Sequence, residues 1–560
     1  MYSSRGGRPR LIAAGAFFIL FIKYFSHFPA AALKSAAAVG FRLLFAHEQK
    51  NNAQTCGVEK INNSQKTQKK QSAGEKKQAI QFSADIKGNL QTVKELLPAE
   101  DILIYSFRTQ DGCECAAVYA DGITDKELLG QLAAKPLSLS PAPKSAEEAE
   151  KLLLFPESRQ AEDMQEAVSE ILSGNPALFI DGIAAAIILG TKKVALRAVT
   201  EPQTAITVKG PREGFIEDVK TNMGLVRRRL KTPDLRFESI VVGRRSKTVV
   251  CIAYLHGIAD EKVIEEIRCR IRDIDIDGVP DSSYIGQFLA KKPYSLFKQV
   301  GTTEKPDILC AKMLEGRIGI LCDGSPIALT LPYMLSEDFQ SSQDYFVSPY
   351  RASVSRALRW VAVAAALFLP AFYVAAQLFK LQLLPFGLLL TVSGGIRDLP
   401  LSPSLEMFLL LLILEILIEA SVRMPKYVAL ALSVIGALVL GDTAVKAGLV
   451  SSSAIIIVAL SGISAYTVPD LTGTLSVVRI AYLLVAGSIG TYGIILLTAL
   501  ILYYLVTSDS YGTPLLAPFS PLIRHDLRDS VFKAEIYALS ERPAVFRPRN
   551  KHRLKVENRT

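Results

Sequence analysis

The 560 residues and 61.0 kDa exceed one domain, and 49% hydrophobic with 21% charged residues excludes collagenous, wholly disordered and disulfide-stapled chains. A mean hydropathy of +0.26 hides two regimes, a charge-rich stretch over 50–350 and long apolar runs over 357–507. The formal charge of +10 clusters beside the apolar block, at Arg351, Arg356 and Arg359 and in ten basic residues after Ser520, which reads as membrane flanks and not as a nucleic-acid footprint.

Seven cysteines without a Cys-x-x-Cys pair and five histidines without ligand spacing predict reduced thiols, no metal site and no cofactor.

In chain order, Arg5, Arg8 and Arg10 precede an apolar run from Leu11 to Ile22, so residues 1–49 read as an N-terminal hydrophobic segment, interfacial or anchoring. Residues 50–80, rich in Asn, Gln and Lys, hold too little apolar surface to offset the entropy of ordering and read as a linker. A first soluble subdomain, 81–174, follows. It has a helix from Asp85 to Leu97, strands at Ile102–Arg108 and Cys113–Tyr119 around an Asp111-Gly112 turn, and helices over 124–134 and 145–173. Asn175-Pro176 marks its boundary near Gly174. The second subdomain, 175–350, carries strand pairs turning at Asp181-Gly182, Gly243–Ser246 and Asp323-Gly324. Helices over 215–230, 260–272, 282–290 and 305–314 interleave with them. The fold class is a mixed α/β (α+β) soluble domain of two subdomains, followed by a multi-span α-helical membrane domain over 351–520 and a basic cytoplasmic tail over 521–560.

The apolar candidates are Trp360–Phe379, Leu381–Val392 (short or re-entrant, with Pro385), 405–420, 427–441, 449–466 and Ile480–Val506, the last read as one charge-free helix. Six spans place Arg423 and Lys426 opposite the soluble domain; five spans with a re-entrant piece is the rival. No internal repeat is evident, which disfavours a solute transporter built from inverted repeats.

Charge within an apolar helix costs roughly 2.5–3.5 kcal/mol per residue on insertion scales and is a functional signal. Glu415, Glu419 and Arg423 share one helix face at i, i+4 and i+8. Either they line a hydrated path or Glu419 pairs with Arg423 at the interface. Glu406, after Ser402-Pro403, faces a positive helix end and suits capping. Asp442 and Lys446 form either a loop pair or part of an ion-path lining. Gly487, Gly490 and Gly493 recur at a spacing that admits close helix packing, or are incidental. Gly210–Gly214 lacks the Gly-Lys-Ser/Thr ending of a phosphate loop, and no nucleophile–base set can be argued from spacing, so the chain does not read as an enzyme.

Several stretches together resemble the spore-germination receptor A-subunit (GerA-type) family: Glu201-Pro202 with VKGPREGFIEDVKTNMGLVRRRLKTPDLRFESIVVGRRSKT (208–248), TEKPDILCAKMLEGRIGILCDGSPIALTLP (303–332), LPLSPSLEMFLLLLILEILIEASVRMP (399–425), IGALVLGDTAVKAGLVS (435–451) and SYGTPLLAPFSP (510–521). The resemblance implies a nutrient-receptor subunit in the spore inner membrane with its soluble domain cytoplasmic. It implies a homo-oligomer contacting lipid, working with a transporter-like B subunit and a lipoprotein C subunit, and opening a path for monovalent cations. It also strengthens Glu406 and Glu415 as pore or gating candidates. A stage V sporulation F-type paralogue and a non-conducting scaffold subunit are the alternatives.

Overall fold

The computed structural model describes residues 80–155, 157–191, 209–379, 399–423, 428 and 443–554. Segment 1–49, the linker apart from Ile80, and the apolar stretches 381–392 and 427–441 apart from residue 428 lie outside the described residues.

The soluble part is built twice from one plan. The first copy contains α1 (Ile86–Leu96), β1 (Ile102–Arg108), β2 (Glu114–Ala120), β3 (Ser158–Gln160), α2 (Met164–Ser173), β4 (Ala177–Ile180) and β5 (Ala186–Leu189). Its antiparallel sheet runs β1-β2-β4-β5-β3. The second contains α3 (Val219–Arg229), β6 (Leu235–Val242), β7 (Thr248–Leu255), α4 (Glu261–Arg272), α5 (Ser282–Leu289), β8 (Gly301–Thr303), α6 (Pro306–Leu314), β9 (Ile318–Cys322) and β10 (Ala328–Leu331). Its sheet order, β6-β7-β9-β10-β8, is the same order.

The same side chains fix both copies. Asp85 and Asp218 cap α1 and α3 by accepting from first-turn amides. Asn89 exchanges two hydrogen bonds with the Ser83 backbone at 2.6 and 2.9 Å, and Asn222 does so with Ile216 at 2.5 and 2.9 Å. Asp181 and Asp323 each accept from the first helix amide at 3.3 Å, and the following Gly182 and Gly324 take φ of +86° and +80°. Phe82, Asp85, Lys87, Asn89, Val93, Leu97, Asp101 and Ser106 recur at Phe215, Asp218, Lys220, Asn222, Val226, Leu230, Asp234 and Ser239, a constant shift of 133 residues. An internal repeat that the sequence reading did not find is therefore present; it lies in the soluble part, is not the inverted repeat a transporter would need, and most of its positions differ between copies.

The expected boundary near Gly174 is also corrected. β4 pairs with β2, and β5 with β4 and β3, so the first sheet is complete only at Leu189. The stretch 145–173, expected as helix, contains β3. Each sheet is buried on both faces: Cys115, Ala117 and Tyr119 enter one core, and the alternating Ala116 and Val118 enter the other. Burial pushes the Cys115 and Cys322 thiols up to about 12, so these two are packing residues and not nucleophiles.

Beyond the repeats, α7 (Pro349–Phe379), α8 (Pro403–Arg423), α9 (Ser452–Ala465), α10 (Thr472–Ile489) and α11 (Thr491–Thr507) form an apolar bundle. Pro349–Phe379 and Pro469–Ile489 are long and apolar enough to cross a bilayer. The expected single helix Ile480–Val506 is instead two helices. Gly490, at φ +73° and ψ −148°, breaks the chain into a hairpin, and Tyr482 meets Thr498 at 2.9 Å across it.

One end of the bundle abuts the repeats: Thr474 donates to the Leu296 carbonyl (2.9 Å), Tyr504 to Ser295 (2.7 Å), and Lys298 pairs with Asp470 (2.8 Å). Gly490 and Phe379 lie together at the distal end. Because Ser404 adjoins Gly487 while Glu415 meets Arg479, α8 runs antiparallel to α10 and ends, with Arg423, on the repeat side. The six-span expectation for Arg423 is thus reversed, and Lys426 lies outside the described residues. The sequence after Ser520 folds back: Arg549 pairs with Glu261 at 2.6 Å and Arg542 donates to the Leu314 carbonyl at 2.6 Å.

Candidate functional site

The bundle's polar core starts from a proline. Pro370 has no amide hydrogen, so within α7 the carbonyl of Ala366, four residues earlier, loses its helical partner. Ser461 of α9 donates to that carbonyl at 2.8 Å, the usual repair for a proline in a membrane helix. The same hydroxyl accepts from Arg479 of α10 at 3.1 Å, and Arg479 closes the chain on Glu415 of α8 with a charge-assisted bond. Four helices therefore converge on one ion pair. The Arg479 side chain is 3% exposed and that of Glu415 24%, while Nε of Arg479 has no partner. Gly462, one residue after Ser461, sits against Leu414 with its Cβ position 3.0 Å from that side chain, which lets α8 and α9 close in. At about 1.5 Å rise per residue, Arg479 stands ~10 Å inside α10.

Arg479 is the residue of this cluster that sequence reading missed. It immediately precedes the apolar run from Ile480, and starting the helix at Thr472 places it inside.

The other predicted residues separate. Glu406, 1% exposed in the first turn of α8, accepts from the Ser451 amide that opens α9, so two helix N-termini face one carboxylate. Glu419 pairs with Arg423 at 2.6 Å on an exposed surface. Lys446 is exposed near the distal end, and Asp442 lies outside the described residues. The three glycines serve the α10–α11 hairpin and its neighbours. A Cβ on Gly487 would stand 2.7 Å from Ser404, one on Gly490 would stand 2.8 Å from the Phe379 ring, and one on Gly493 would stand 2.5 Å from Val485.

A second charged cluster joins the bundle to the sequence around it. Arg356, fully buried in α7, bonds Asp344 (3.0 Å) and Asp529 (2.7 Å); Arg359 also bonds Asp344, and Lys533 donates to the Asp344 carbonyl at 2.7 Å. Burial opposes the Asp344 charge, yet the bonds from Arg359, Ser341 and Arg356 hold its carboxyl below the ordinary value. These arginines are structural ties and not lipid-facing flanks. Among the described residues no group of three or more His, Cys, Asp or Glu could hold a metal ion.

Residues 90–545 match the family described as Bacillus/Clostridium GerA spore germination protein. The chain is 32% identical to spore germination protein KA of Bacillus subtilis (strain 168), covering 84% of this chain and 88% of that one. It is 32% identical to spore germination protein A1 of the same strain (81% and 95%), and 35% identical to its uncharacterized membrane protein YfkQ (83% and 92%). The crystal structure of the N-terminal domain of the A subunit of the Bacillus megaterium spore germinant receptor GerK3 aligns at 29% identity with a TM-score of 0.35, over 46% of this chain and 99% of that one. With a family match over most of its length and relatives above 30% identity, the chain belongs to the GerA spore germination family.

Proposed function

We propose that this chain is the A-type subunit of a nutrient-germinant receptor, a homo-oligomeric membrane component whose helices form or gate a path for monovalent cations. In this reading it sits in the spore inner membrane with the repeats and the tail cytoplasmic, beside a transporter-like B subunit and a lipoprotein C subunit. The observation that carries the gating role is the Glu415–Arg479 pair, its arginine buried and its carboxylate half-buried where four apolar helices meet. Paired, the two charges cancel, and the described helices present no net charge at that depth. Drawing α10 away from α8 uncovers a carboxylate, and Glu419, one turn further on the same helix, continues an acidic face toward the repeat-side end.

Reconstituted chain is expected to pass potassium or sodium, with Glu415→Gln altering the flux at least several-fold. Flux identical in the variant removes Glu415 from the mechanism. No flux from the wild-type assembly favours the non-conducting scaffold reading. Spores lacking the chain that still answer every amino acid and sugar favour the stage V sporulation F-type paralogue instead.

A further inference from the structure

In a duplicated architecture, the joint between the two copies has a counterpart on the outer faces. Inside the chain, Asp101 of the first repeat is 2% exposed and grips Arg227 of α3 with both carboxylate oxygens at 2.7 Å. Beside it Glu100 accepts from the Ser239 amide on edge strand β6 at 2.7 Å, and Asp121 meets Lys220 at 3.6 Å. The Gly122 turn presses on α3 so closely that a Cβ on Gly224 would stand 2.7 Å from the Gly122 carbonyl.

The shift of 133 residues carries the receiving groups Lys220, Arg227 and Ser239 onto Lys87, Lys94 and Ser106 of α1 and β1, all exposed. Lys94 lines an open cavity of about 460 Å³ together with Val93, Leu97, Ile102 and Ile104. Of the inserting groups, Asp101 maps onto Asp234 and Glu100 onto Pro233 at that shift. The Asp121-Gly122 turn corresponds to His256-Gly257 two residues further on, the amides of Asp121 and His256 donating to the carbonyls of Asp101 and Asp234; all four counterparts are exposed. Gly257 has φ +79° against +82° at Gly122, with nothing within 4 Å of a Cβ. The central charge pair keeps its sense, basic at Lys94 and acidic at Asp234, whereas Pro233 and His256 replace the flanking carboxylates Glu100 and Asp121.

We propose that the second repeat of one copy docks on the first repeat of a neighbouring copy, Asp234 against Lys94 and the Gly257 turn along α1. Gln91 stands where α3 has Gly224, so this contact is wider than the internal one. Two unlike faces meet, so the contact propagates into a ring or filament and does not close as a two-fold dimer. The proposal rests on the homo-oligomer reading and supplies its interface.

The test uses full-length chain in membranes. Lys94→Glu and Asp234→Lys are each expected to weaken self-association about tenfold, and the double exchange to restore it, with unchanged melting showing an intact fold. Lys94→Cys and Asp234→Cys on separate chains are expected to cross-link only when mixed. Wild-type oligomers indifferent to both exchanges, a double exchange without rescue, or Lys94→Cys cross-linking to another segment each overturn the interface and leave the oligomer reading standing. A monomeric wild type overturns both.

Discussion

Arg479 occupies a position where a lone charge is costly, and Glu415 and Ser461 are the groups that compensate it. Glu415→Ala leaves the guanidinium buried beside a hydroxyl alone, with an expected loss of about 3–5 kcal/mol, read as a fall in the thermal midpoint of the purified chain. Glu415→Leu combined with Arg479→Leu removes both charges and is expected to recover most of that loss; a double variant as unstable as the single one would show that the pair is not the partner assignment. Outside the bundle, Asp338 gives a pH-dependent signal. Burial is the main cause raising its carboxyl to about 7, with the fully buried Tyr333 donating to it at 2.6 Å. Between the ordinary carboxylate value near ~4 and about 7 the folded chain holds a proton that the unfolded chain has released. Stability present below that window is therefore lost as pH rises through it. Melting from pH 5 to pH 8 is expected to show this decline in wild type and a flatter profile in Asp338→Asn.

At the scale of elements, turns were far more legible than spans. The Asp111-Gly112, Asp181-Gly182 and Asp323-Gly324 hairpins follow from local chemistry, since each glycine adopts a positive φ that other residues resist, and the structure has all three. The α10–α11 break was not legible, because the flanking residues are uniformly apolar and a glycine inside such a run reads as packing as readily as a turn. The same run hides Arg479, because the charge-free stretch begins one residue after it, at Ile480. Gly490 is where the element is decided. Its backbone lies in a region essentially closed to other residues, and an added methyl meets the Phe379 ring at 2.8 Å. Gly490→Ala is expected to destabilise the bundle by about 1–3 kcal/mol from backbone strain alone, whereas Gly473→Ala, with open space at its Cβ, is expected to be nearly neutral. Equal melting of the two variants would contradict a tight turn at 490.

For the molecule as a whole, the duplication escaped the sequence because its identities lie at caps, turns and core points separated by freely varying surface. The direction of α8 escaped it because residues 381–392 look like half a span. Helix ends settle that direction among the described residues. α7 ends and α8 starts at the distal end, and α8 ends, with Arg423, where α9 also ends and α10 begins. Arg423 therefore joins the basic groups on the repeat side, in keeping with the tendency of Lys and Arg to stay on one side of a membrane. With native thiols blocked, cysteine at Arg423 or Thr467 is expected to react with an impermeant reagent from the side that reaches the soluble repeats, and cysteine at Ser488 from the other. Labelling of 423 and 488 from the same side would require α8 to run the opposite way. Glu415 would then shift by about 6 Å along the bundle, and the Glu415–Arg479 contact on which the gating proposal stands would not have its observed geometry.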